Sequence, residues 1–250
     1  MKIFSCLLKK ELRSLFYSPL AYIILFIFWI LSGLNFYWLL TQIADGERVM
    51  VVLQLLFCGP LIIFSLPVIV SLLTMKFFAE EQKLGTLELC FTIPISKLTL
   101  LLSKYISAFI FYIFMWLPYI VYLIILNSLY LSSGITILNP GLLFSGFIGI
   151  MLIGLFYISI GLLMSSLTSN QVVAAVSSFG TLFIILLVFM FMGINNDNQS
   201  MKVIGKYFST FHHLFDFSRG IIDSKIIIYY LSFSLWSIFL TLNILNWKRG

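Results

Sequence analysis

Residues 105–196 read YISAFIFYIFMWLPYIVYLIILNSLYLSSGITILNPGLLFSGFIGIMLIGLFYISIGLLMSSLTSNQVVAAVSSFGTLFIILLVFMFMGINN, 92 positions without one Asp, Glu, Lys or Arg. A helix crossing a bilayer needs about 20 apolar residues, because the hydrocarbon core is roughly 30 Å thick and each residue rises about 1.5 Å. This interval therefore holds several crossings. Polar punctuation divides it at Asn139-Pro140-Gly141, at Ser165-Ser166-Leu167-Thr168-Ser169-Asn170-Gln171 and at Gly193-Ile194-Asn195-Asn196. Three further intervals lack the four charged residue types: 14–44 over 31 positions, 49–75 over 27 and 226–247 over 22. Each holds one crossing. The expected spans are 20–40, 50–75, 105–127, 142–164, 172–193 and 226–247. The runs are continuously apolar, which excludes the alternating ~10-residue strands of an outer-membrane barrel.

Composition points the same way. Of 250 residues, 61% are hydrophobic and 10% charged, against roughly 25% charged in soluble domains. The mean hydropathy is +1.10. This excludes a soluble globular domain and a disordered chain. The net charge of +6 comes from 15 basic and 9 acidic residues in short clusters between apolar runs. It makes no nucleic-acid patch and reads instead as a signal of orientation. With the N-terminus inside, the inner segments 1–19, 76–104, 165–171 and 248–250 hold ten Lys/Arg, and the outer segments 41–49, 128–141 and 194–225 hold five. Both termini are expected in the cytoplasm. No secretory signal peptide is expected, since basic residues at 9–13 interrupt any apolar region there. Cys6, Cys58 and Cys90 suggest no structural disulfide.

Three segments outside the spans carry pattern. Residues 2–17 read as an amphipathic interfacial helix: Lys2, Lys9 and Arg13 share one face, and Phe4, Leu8, Leu12 and Leu15 line another. Such a helix suits an anionic inner leaflet. Ser18-Pro19 marks the break before the first span. Residues 76–104, KFFAEEQKLGTLELCFTIPISKLTLLLSK, place seven charges in 29 positions between two uncharged spans. Gly85-Thr86 can end one helix and start another, Pro94 ends that one, and Ser96 can cap the third span. The pattern fits a solvated loop and a docking element for a soluble partner equally well. In 195–225, Val203, Ile204, Tyr207, Phe208, Phe211, Leu214 and Phe215 recur at helical spacing, which predicts an amphipathic helix at the outer interface. His212 and His213 are adjacent, so they point about 100° apart on a helix, and no metal site is expected.

Several chemistries have no residues to carry them. The sequence contains no G-x-x-x-x-G-K-[ST], H-E-x-x-H or G-x-S-x-G. No catalytic residue is expected, and none of the expected spans holds an ionisable residue of the kind ion-coupled transporters use. If the chain transports, another subunit powers it. Ser145 with Gly149, and Gly161 with Ser165, are small pairs four apart that let helices approach, either within the chain or at a dimer interface. Pro67 and Pro118 are expected to kink their helices.

The sequence resembles the permease subunit of type-2 ATP-binding-cassette exporters, in the branch that includes gliding-motility-associated permeases. The resemblance rests on Lys10-Glu11-Leu12-Arg13 followed by Ser18-Pro19-Leu20-Ala21-Tyr22, and on Phe78-Ala79-Glu80-Glu81-Gln82-Lys83-Leu84-Gly85-Thr86-Leu87-Glu88-Leu89 continuing to Thr92-Ile93-Pro94-Ile95-Ser96. Ser166–Gln171 and Phe217-Ser218-Arg219-Gly220-Ile221-Ile222-Asp223 are similar too. It implies an all-α integral membrane protein, one permease domain over 1–250. Its parts would be an interfacial helix (1–19), spans 1–2 (20–75), a cytoplasmic coupling segment (76–104), spans 3–5 (105–193), outer amphipathic helices (194–225) and span 6 (226–247). It implies that Glu80, Glu81, Gly85, Thr86 and Glu88 form or support the contact with an ATP-binding subunit. ATP and Mg²⁺ would sit in that partner, not in this chain. A second permease subunit, identical or paralogous, would complete the pathway in a bacterial inner membrane. The other reading is a membrane scaffold that docks an ATPase and moves nothing.

Overall fold

The computed structural model describes residues 2–44, 49–86, 96–131, 140–194 and 199–247. Among these there are helices and no strands. A chain this apolar must satisfy its backbone within each segment, and a helix does so without a neighbour. Six stretches are long and apolar enough to cross a membrane: Pro19–Gln42, Gln54–Lys83, Lys97–Leu129, Pro140–Leu167, Gln171–Ile194 and Ser224–Trp247. The protein is a multi-pass membrane protein with the six crossings read from its charge-free intervals.

Helix α1 (Lys2–Phe16) precedes α2 (Pro19–Ala44), the first crossing. The break falls at Ser18-Pro19 as the proline requires. The second crossing is interrupted: α3 (Val49–Cys58), α4 (Pro60–Thr74) and α5 (Lys76–Lys83) follow one another with breaks at Gly59 and Met75. Pro67 lies inside α4 without ending it. The third crossing divides into α6 (Lys97–Met115) and α7 (Pro118–Leu131), with the break just before Pro118. Ser96 caps α6 by accepting from Thr99 N–H at 3.2 Å, as expected from sequence. Helices α8 (Pro140–Leu167), α9 (Gln171–Ile194) and α12 (Ser224–Trp247) are unbroken crossings. Between the last two stand α10 (Gln199–Phe208) and α11 (Thr210–Ser218), two short helices where the residue spacing alone suggested one and the resemblance implied more than one. Ser209 separates them, because its hydroxyl accepts from His212 N–H and starts α11.

Helix α8 is the axis of the bundle and packs on α4, α5, α6, α9, α11 and α12. Its small residues face neighbours rather than a second copy. At Gly161 a Cβ would come within 2.2 Å of Thr74 Oγ1, so only glycine lets α4 cross here. Gly149 meets the Phe217 ring in the same way, and Ser145 donates to the Phe217 carbonyl. Both small pairs therefore serve internal packing. Much of the core is aromatic: Tyr112, Tyr119, Tyr157, Tyr230, Phe28, Phe57, Phe78, Phe111 and Phe217 are fully buried. Helices α9 and α12 keep long outward faces, with Val176, Ile184 and Phe191 on one and Ile228, Leu235 and Phe239 on the other all exposed. Such faces are stable against lipid or another apolar surface.

Candidate functional site

The segment of mixed charge begins with α5, and the fold grips that helix from several sides. Ser165 of α8 places its hydroxyl oxygen 3.1 Å from Phe78 N and 3.2 Å from Ala79 N, and donates to Met75 O at 3.0 Å. The first N–H groups of a helix have no carbonyl of their own to meet. Ser165 supplies the acceptor, which is why a bend at Met75 is tolerated inside a buried region. One turn on, Gln82 Nε2 donates to Ser166 O at 3.0 Å. Lys76 Nζ donates to Ser18 Oγ at 3.0 Å, which ties the start of α5 to the α1–α2 break.

At the centre lies a charge cluster. Lys104, on the second turn of α6, is 1% exposed. Its ammonium stands 2.7 Å from Glu81 Oε1 and 3.3 Å from Glu11 Oε1. The Phe78 and Phe77 rings lie 5.5 Å and 5.8 Å from the same nitrogen, within reach of a cation–π attraction. An isolated buried ammonium is very costly, so two carboxylates and two ring faces are what allow Lys104 to be here. The cluster joins α1, α5 and α6. Phe16 adds to the α1–α6 contact, packing edge-on against Phe111 and Phe114 at 5.4 Å and 5.5 Å.

A cleft of about 380 Å³ opens beside this cluster. Lys10, Lys76, Lys104, Glu11, Glu80 and Glu81 line its charged side. Leu15, Leu20, Ile24, Leu73 and Phe77 line its apolar side. Beyond α5 the chain turns sharply. Leu84 N donates to Glu80 O at 3.0 Å, and Gly85 N donates to Gln82 O at 3.2 Å. Gly85 has φ +68°, a left-handed conformation that ends the helix and favours glycine. The Thr86 hydroxyl points back to Glu81 O at 3.3 Å.

Four of the five residues expected to contact an ATP-binding subunit lie among the described residues. Glu80, Glu81, Gly85 and Thr86 stand together on α5 and the turn after it, whereas Glu88 lies outside the described residues. Glu81 faces inward to Lys104, while Glu80, Gly85 and Thr86 remain at least partly accessible. Of the basic face expected on α1, Lys9 and Arg13 are exposed, and Phe4, Leu8, Leu12 and Leu15 are half-buried. Lys2 opens the helix, with its side chain outside the described residues. The apolar side of α1 is covered in part by α6.

Sequence reasoning counted Lys104 only as one of the inner basic charges and missed its buried role. One signal was available. Glu11 lies three residues after Leu8 and four before Leu15, on the apolar stripe of a helix whose other charges are all basic. A carboxylate there needs a cation.

At the opposite end, α11 holds its histidines in hydrogen bonds. His213 is 3% exposed, with Nε2 2.9 Å from Tyr207 O and Nδ1 3.0 Å from Tyr230 Oη. A carbonyl only accepts, so Nε2 carries the proton and Tyr230 donates to Nδ1. Burial pushes the His213 pKa down to about 4, against the pull of the Tyr207 carbonyl. Burial, and then the Lys206 charge, lower that of His212. Among the described residues no three His, Cys, Asp or Glu gather as metal ligands.

Residues 47–247 match the model of a family described as ABC-2 family transporter protein. The matched range includes α5, the turn at Gly85 and all crossings after the first. No curated protein matches the chain.

Proposed function

The chain belongs to the ABC-2 family of transporter proteins, and we propose that it forms the pathway of an exporter worked by a separate ATP-binding subunit. Membership makes it a permease component and implies that subunit as its partner. The finer reading is ours. Two such chains, identical or paralogous, pair in a bacterial inner membrane with their termini in the cytoplasm. The protein serves in the gliding-motility branch of the family. The segment 76–104 is the coupling element, and Glu80, Gly85, Thr86 and Glu88 meet the partner. ATP and Mg²⁺ are bound there, since this chain has no phosphate-cradling loop.

One observation supports this assignment above the others. Helix α5 is joined to α8 by Ser165 and Gln82, to the α1–α2 break by Lys76, and to α1 and α6 by the Lys104 cluster. A force applied at the Gly85 turn reaches four parts of the bundle through hydrogen bonds and ion pairs. A solvated loop needs no such anchorage.

The test reverses charge on the accessible residues only. Glu80→Lys with Glu88→Lys weakens co-purification of the ATP-binding subunit by about a hundredfold, given the cost of like charges across an interface. Stimulated ATP hydrolysis and transport in vesicles fall with it, while the melting temperature stays unchanged. Unaltered binding and turnover would refute the assignment. Glu81 is left intact, because Glu81→Lys would set two ammonium groups together beside the buried cluster.

A further inference from the structure

Three lysines and three glutamates line the cleft, equal in number but not all paired, with Lys10 4.0 Å from Glu11. Lys104 is shared by two carboxylates, Glu11 and Glu81. The second Glu81 oxygen, Oε2, is buried and has no hydrogen-bond partner among the described residues. Among the described residues, no cation lies within 4.0 Å of the Glu80 carboxylate, and no carboxylate lies that close to the Lys76 ammonium. Among the described residues the Lys76 ammonium bonds to the neutral Ser18 hydroxyl alone. Among the described residues the cleft thus presents an unpaired carboxylate at Glu80, a free oxygen at Glu81 Oε2 and, at Lys76, an ammonium with no acidic partner, with the Ser14 and Ser18 hydroxyls beside it. Its remaining wall is apolar and comes from the ends of two membrane-crossing helices, through Leu20, Ala21, Ile24 and Leu73.

A molecule that satisfies all of these carries a hydrogen-bonding ammonium, an anionic phosphate and a hydrocarbon tail. We propose that the cleft between α1, α2, α5 and α6 binds one aminophospholipid, with its ammonium on Glu81 Oε2 and Glu80, its phosphate on Lys76 and Ser18, and a chain along Leu20, Ile24 and Leu73. A basic side chain from a protein would meet the two glutamates but leave Lys76 and the apolar wall unused. A purely anionic lipid would leave the glutamates unmatched. The bound lipid fills the space between α1 and α5, so it belongs to the permease itself and does not depend on the ATP-binding subunit.

The experiment uses the full-length chain purified in detergent, without the partner. Lipid retention is read by native mass spectrometry after exposure to phosphatidylethanolamine, phosphatidylcholine or phosphatidylglycerol. Phosphatidylethanolamine is retained as one molecule per chain, roughly tenfold or more over phosphatidylcholine, whose quaternary ammonium donates no hydrogen bond. Glu80→Gln with Lys76→Gln, both on half-buried side chains, removes that preference and lowers the melting temperature by no more than the loss of the Lys76–Ser18 hydrogen bond does. Glycerophosphoethanolamine, the same headgroup without chains, competes far less well than the lipid. Equal retention of the two zwitterionic lipids would overturn the proposal. So would a preference that survives in the double variant, or a soluble headgroup that binds as tightly as the lipid, which would make the occupant a free phosphodiester.

Discussion

Lys104 is the residue on which the most depends. Its 1% exposure and its two carboxylate partners put it in the class of buried ions whose pairing must be complete. Removing it strands Glu11 and Glu81. Lys104→Ala is expected to cost about 3–5 kcal/mol, read as a fall in melting temperature of the purified protein. The triple change Lys104→Met, Glu11→Gln and Glu81→Gln removes the charges together and recovers most of that loss. A single variant as stable as the wild type would show that the cluster carries no structural weight. The cluster was only half legible in the sequence. Glu11 and Glu81 both stand in stretches on which the sequence resemblance rests, but their cation is 93 and 23 residues away. No local pattern predicts a pairing across that separation. Lys104 also borders the longest uncharged interval, where a basic residue is ordinarily read as a flanking anchor. Only the packing of α1 on α6 reveals that it turns inward.

Among elements, α5 is the one whose meaning changed most between sequence and structure. The pattern of charges, Gly85 and Pro94 marked a segment of unusual content but could not show whether it was held. Ser165 decides the question, because its hydroxyl receives two backbone N–H groups of α5. Ser165→Ala leaves both without that acceptor in a buried place, at about 1–3 kcal/mol. Amide hydrogen exchange at Phe78 and Ala79 should speed up accordingly, while exchange in α11, at the opposite end of the bundle, keeps its rate. Unchanged protection at those two amides would mean that another acceptor holds α5. The longer elements were far easier to read. An uncharged run of more than 20 residues has few options in a membrane, so the six crossings emerged from counting. The breaks were harder. Pro118 interrupts a crossing, yet Pro67 does not end α4, and one outer helix proved to be two at Ser209. Each outcome depends on which neighbour offers a hydrogen bond at that point, and sequence does not list neighbours.

At the scale of the whole molecule, the bundle is anchored at both ends by polar contacts and filled by aromatic side chains between them. One end gathers α1, α5, the start of α6 and the end of α8 around Lys104 and Ser165. The other gathers α10, α11 and the start of α12 around His213. Between them α8 crosses its neighbours at small residues, so a shift at one end is carried by a packed helix rather than absorbed by a soft core. In the proposed function a partner ATPase grips the turn after α5. The direct measurement is cross-linking from Thr86→Cys, in a chain whose native Cys6, Cys58 and Cys90 are replaced by serine. In native membranes a covalent adduct with the ATP-binding subunit is expected, its yield changing when ATP is added. A Thr86→Cys thiol that makes no such adduct, and is instead labelled from outside intact cells by a membrane-impermeant maleimide, would contradict it.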